Sequence, residues 1–214
     1  MGLDFSALIQ YGGPSREILP VIACLERGEE DAAFQQVVAV GLRRGFAFAE
    51  RAGRKAAWRL WSDIEQEIPQ RPDLPSLDLS LDLPSDFSLT FGHDAVWVYH
   101  TLRWHCFVTE VEWQRVMLSA VRWFCQSLGT ADCIIAHDCH PAVLAFQAGA
   151  SYQQALRIAE DKGEGAVSSI GDLYIDRGYA DDLVYLGPGG EELAIPLWDT
   201  HGFWRFKFGV GDTA

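Results

Sequence analysis

The residues best suited to chemistry stand together as His137-Asp138-Cys139-His140. Two imidazoles and a carboxylate within one short stretch can bind a metal or move protons, and a thiol beside an imidazole offers a nucleophile with a base. A contiguous tetrad cannot close a tetrahedral metal site alone, so further donors have to come from elsewhere in the chain. Asp199 and His201, in Trp198-Asp199-Thr200-His201-Gly202, are donors of the right type. The same residue types also have plainer uses. Asp138 or His140 can cap a following helix, Cys139 can pack as a small hydrophobe, and His137 can bond a loop carbonyl. The spacing specifies neither a particular metal nor a cofactor.

A second group is aromatic and cationic. If residues 95–108 form one unbroken strand, side chains alternate between its faces, and Arg103 and His105 share a face with Trp97 and Tyr99. Such a surface could meet an anionic or planar ligand. His100 and His105 then point to opposite sides and cannot chelate one ion together. His93-Asp94 and His137-Asp138 carry a dipeptide that resembles the paired signature of the helical metal phosphohydrolases called HD domains. Those ligands sit on helices, whereas both dipeptides here fall in strand-rich sequence, so the resemblance ends with the dipeptides. Gly-x-Ser-x-Gly, Gly-x-x-x-x-Gly-Lys and a Gly-x-Gly-x-x-Gly following a strand are all absent from the sequence.

Elements must hold these residues in place. Cys133 to Ala136 reads as a short buried strand and Pro141 as the first turn of a helix, so the tetrad lies at a strand end, where ligands gather in open α/β sheets. Before it, Thr109-Glu110-Val111-Glu112 has the form of a capping box. Trp113, Val116, Met117, Ala120, Val121, Phe124 and Leu128 follow as one helical stripe, which Gly129 ends. Strand, helix and strand in that order predict a β-α-β crossover and at least one parallel pair in a mostly antiparallel sheet.

The rest of the chain supplies the sheet and its cover. A strand is expected over residues 3–10, a helix carrying Ile18, Leu19, Ile22 and Leu25, and a second helix capped by Asp31 with Phe34, Val37, Val38 and Leu42 on its inner face. Residues 45–61 fit helix and strand equally. The strict alternation of residues 77–83 puts leucines on one face of a half-buried strand, and Gly92-His93-Asp94 is the turn of a hairpin with residues 87–91. Beyond the tetrad, helices are expected from Pro141 to before Gly149, from Ser151 to before Gly163, and briefly from Ser169. Strands are expected at residues 183–186, 193–197 and 203–208. The sum is a single α+β domain spanning residues 1–214, with a mixed, mostly antiparallel sheet, one β-α-β crossover and helices packed on it.

Composition bounds the function. The 214 residues carry 17 basic and 30 acidic side chains, a formal charge of −13, which repels phosphate backbones and anionic lipid and suits a basic protein partner. Arg43, Arg44, Arg51, Arg54, Lys55 and Arg59 run against this balance and could form a local anion-binding face. The five cysteines, without a C-x-x-C pair, read as reduced thiols, and the absence of a basic, apolar leader predicts a cytoplasmic protein. The leading expectation is an acidic interaction module that engages a basic partner. The alternative is a metal-assisted hydrolase or small-ligand binder built on His137, Asp138 and His140.

Overall fold

Seven residues, Asp4–Gln10, of which the inner five are buried, form β1 at the centre of an eight-stranded sheet. The computed structural model describes residues 3–12, 32–46, 79–82, 84–92, 94–168, 171–176, 185–186, 192–193 and 203–207. Helix α1 (Ala32–Arg44) precedes β2 (Leu79–Asp82), a 3-10 turn (Pro84–Asp86), β3 (Phe87–Phe91) and β4 (Ala95–Arg103). Two helices, α2 (Trp104–Thr109) and α3 (Val111–Ser127), lead to β5 (Asp132–His137), and α4 (Pro141–Gln147) and α5 (Tyr152–Lys162) follow. The chain then forms β6 (Gly163–Ser168), β7 (Gly171–Asp176), the short pair β8 (Tyr185–Leu186) and β9 (Glu192–Leu193), and β10 (Phe203–Lys207).

The sheet order is β2-β3-β4-β1-β5-β10-β7-β6, and every hydrogen-bonded pair in it is antiparallel. This is an α+β fold, and it corrects one expectation. The connection from β4 through α2 and α3 to β5 exists, but β4 and β5 do not pair. Both lie antiparallel to β1, which is inserted between them. The parallel pair is therefore replaced by two antiparallel ladders, with β1 supplying the hydrogen-bonding partner each strand needs.

Periodicity decides the two faces. One carries Phe5, Ala7 and Ile9 of β1, Phe87, Leu89 and Phe91 of β3, Val96 and Val98 of β4, and Cys133 and Ile135 of β5, all buried under α1, α2 and α3. The other carries Leu8, Ala95, Ile134 and Ala136 under α4 and α5. Helix α3 buries the expected stripe, and its end is a Schellman motif: Gly129 adopts φ 68°, Gly129 N–H donates to the Gln126 carbonyl and Thr130 N–H to that of Cys125. The Ser151 box also forms, since Gln154 N–H donates to Ser151 Oγ and Ser151 N–H to Gln154 Oε1.

Other expectations need correction. The strand expected over 95–108 ends at Arg103, because Trp104, Phe107 and Val108 recur at helical spacing and are buried as α2. Thr109 does not open α3. Its hydroxyl donates to the His105 carbonyl and closes α2, while Glu110 occupies the α3 N-cap without a side-chain cap bond. Glu112 pairs instead with Arg43, and Glu110 with Arg44, so the described part of the basic run is neutralised by the start of α3. Leu42 is 54% exposed, because the inner face of α1 consists of Ala33, Phe34, Val37, Val40 and Gly41. In place of a short helix from Ser169, β6 and β7 form an antiparallel pair. The helix expected around Ile18, residues 45–61 beyond Phe46, and residues 77, 78 and 83 of the expected leucine strand lie outside the described residues.

Candidate functional site

The tetrad falls where the sequence puts it, at the end of β5 and the start of α4. His137, the last residue of β5, pairs with Phe5 of β1, and its buried ring lies 5.9 Å from the Trp104 ring and 5.6 Å from that of His140. His140 is the N-cap of α4. Its Nδ1 accepts the Ala142 N–H at 3.2 Å, and Pro141 takes the first helical position, where no N–H is needed. An Nδ1 that accepts carries no proton, so the neutral ring has its hydrogen on Nε2. In this tautomer His140 donates through Nε2 and has no free lone pair there for a metal or a substrate proton.

Asp138 joins two distant pieces of backbone. Its N–H donates to the Asp4 carbonyl at 3.0 Å, and its Oδ1 accepts the Asp4 N–H at 2.9 Å, which fixes the turn after β5 to the first residue of β1. The Asp4 carboxylate accepts from the Tyr99 hydroxyl at 2.8 Å and from Arg103 Nη1 at 2.7 Å. Burial pushes the Tyr99 hydroxyl well above its ordinary range, with the hydrogen bond to Asp4 and the charges of Asp4 and Asp138 acting in the same direction. The phenol therefore stays a donor. Cys139 is exposed, and loss of solvation together with the Asp138 carboxylate pushes its thiol up, so the thiolate needed of a nucleophile is disfavoured.

Arg103 and Tyr99 do share a face of β4, with Trp97 5.8 Å from Tyr99 ring to ring. His105 is not part of that surface, because it belongs to α2, where its Nε2 lies 3.3 Å from Cys106 Sγ. The expected cationic surface loses a member in this way, and the Asp4 carboxylate balances the Arg103 charge. Asp199 and His201 lie outside the described residues, as does His93. Among the described residues no three His, Cys, Asp or Glu side chains are grouped so as to hold a metal ion.

Two participants were invisible in the sequence. Asp4 is separated from Asp138 by 134 positions and from Tyr99 by 95, and nothing in its own neighbourhood marks it as the residue on which both converge. His100 looks like one member of an alternating strand, yet it is fully buried: Nδ1 accepts the Leu102 N–H at 2.8 Å and Nε2–H donates to the Ser85 carbonyl at 3.0 Å. Burial lowers its pKa to about 4, although Asp86 and the Ser85 carbonyl favour the charged ring.

No helix among the described residues is long and apolar enough to cross a membrane. No protein-family model, no curated protein and no solved structure matches the chain.

Proposed function

We propose that this chain is an acidic interaction module that binds a basic protein partner without turning it over. The observation that carries the reading is the use made of the tetrad. Asp138 and His140, the residues best equipped for acid-base or metal chemistry, hold main-chain N–H groups of Asp4 and Ala142 and so build the β5–α4 turn. With these groups engaged, the formal charge of −13 is the property most available for recognition. Glu160 and Asp161, exposed on α5, belong to the surface that would meet the partner.

The test is capture of a partner at low ionic strength, purification of both proteins, and calorimetric titration at two salt concentrations. The expected result is an affinity that falls with salt and weakens again in a Glu160→Lys, Asp161→Lys double variant. A salt-independent affinity overturns the electrostatic reading.

One observation favours the alternative, a metal-assisted hydrolase or small-ligand binder using His137, Asp138 and His140 with Asp199 and His201. β10, which follows Asp199 and His201 in the sequence, begins at Phe203 and pairs with β5, Trp204 opposite Ile135, so its first residue lies toward the end of β5 that bears His137. Metal content after purification without chelator tests this reading: a stoichiometric ion lost in His137→Ala and in His201→Ala supports it, and a metal-free protein that stays so after dialysis against zinc and manganese removes it.

A further inference from the structure

The turn between β2 and β3 holds two consecutive non-glycine residues in the left-handed region, Ser85 at φ 58° and Asp86 at φ 66°. A side chain with a Cβ resists this conformation, which persists only where the surroundings impose it. Here the surroundings are two adjacent residues of β4. His100 Nε2–H donates to the Ser85 carbonyl, and the Thr101 hydroxyl donates to the Asp86 carboxylate. The Phe87 ring, 4.5 Å from the imidazole, closes the group. β2 lies at one edge of the sheet, with β3 as its neighbour there.

From this geometry we infer that His100 is an acid-released latch, which holds the 84–86 turn while neutral and lets β2 leave the sheet edge when protonated. Holding the turn requires one tautomer, because Nδ1 must accept from Leu102 N–H while Nε2–H donates to Ser85. A second proton has to go on Nδ1. It then meets the Leu102 N–H donor 2.8 Å away, and the ring cannot keep both bonds. Among the described residues the charged group acting on the ring is Asp86, whose carboxylate favours protonation, and the cross-strand neighbours Phe5 and Phe87 carry no charge. Burial opposes the proton and moves release well below neutrality. Release bares the outer N–H and C=O groups of β3, a strand edge able to accept another strand.

Hydrogen exchange read by mass spectrometry tests the latch on the full chain. Between about pH 7 and about pH 4, after correction for intrinsic rates, peptides over 79–86 are expected to lose protection by about tenfold or more and to open at a lower free energy than those over 132–137, whose protection follows global stability. His100→Gln, which keeps an acceptor and a donor but cannot titrate, should abolish the difference. Asp86→Asn, which removes the favourable charge, should move the midpoint to lower pH, and it serves as the independent arm if the glutamine variant does not fold. An equal opening free energy in both peptide sets at acid pH, or an unchanged acid response in either variant, overturns the proposal.

Discussion

On the face of the sheet under α1, α2 and α3 the core is built from rings. Phe34 meets Phe87, Trp123 and Phe124 edge-on at centroid distances of 5.6, 4.9 and 5.2 Å, and Phe5 meets Phe107 at 4.9 Å. Under α4 and α5 it is built from Ala95, Ala136, Ala142, Ala155 and Ala159 with Leu8, Ile134, Val143 and Leu156, around the two buried rings of Tyr152 and Phe146. Rings fill a wide gap and fix the helices above them by interlocking shape. Alanines let the helix backbones approach the strands closely, which suits a face where β5 passes to α4 through a turn as short as Asp138-Cys139-His140. One face should therefore be vulnerable to removal of volume, and the other to its addition.

The sharpest break in that contrast is Phe124→Ala, which should lower stability by ~4 kcal/mol in urea unfolding, because Phe34 and Phe87 cannot both close the cavity. Acid comes next on the ring face. His100 titrates near 6.5 when unfolded and about 4 when folded, so between those values the unfolded chain takes up a proton that the native one refuses. Stability should be unaffected by this group above about pH 6.5, fall as the pH drops, and lose ~3 kcal/mol in all by the time folded His100 also titrates. Thermal melts of wild type and His100→Gln between these limits isolate the contribution.

On the alanine face, Ala155→Leu should cost ~2 kcal/mol by overpacking against the sheet, measured in the same urea series. If it is tolerated while an equally buried alanine on the ring face is not, the contrast between the faces is reversed. Smaller still, His140→Ala should cost ~1 kcal/mol through loss of the α4 cap, and His140→Asn should restore most of it. The rescue separates a cap from a titrating group. Tyr152→Phe, which loses a 3.0 Å bond to Asp132, should cost under ~1 kcal/mol.

What could be read in the sequence followed the range of the interactions involved. Helix α3 was legible because its stripe and its glycine stop are both local, and the Ser151 box and the hairpin of β3 with β4 were legible for the same reason. Residues 104–108 are ambiguous in the sequence because Leu102, Trp104, Cys106 and Val108 alternate like a strand, while Trp104, Phe107 and Val108 also fit a helix. Burial against Phe5 and His137 decided between the two. The apparent box at Thr109 failed because Glu112 is drawn to Arg43, a partner 69 positions away. At the tetrad, residue type suggested chemistry and position suggested capping. The deciding fact, that Asp138 reaches back to Asp4, depends on a strand order no local pattern encodes.

That strand order also governs how the chain can be assembled as it is made. β1 waits for β4 and β5 before both of its edges are covered, and β5 in turn waits for β10, which joins it to β7. At ~5 to 20 residues per second, several seconds pass between the appearance of β5 and that of β10. Throughout that interval the nascent chain presents an open strand edge beside Cys133, Ile134 and Ile135, with the helices of the ring face already available to fold. A chain halted before Phe203 would leave the β6–β7 hairpin without its bridge, and the ribosome-bound form is the one in which chaperone engagement should be sought.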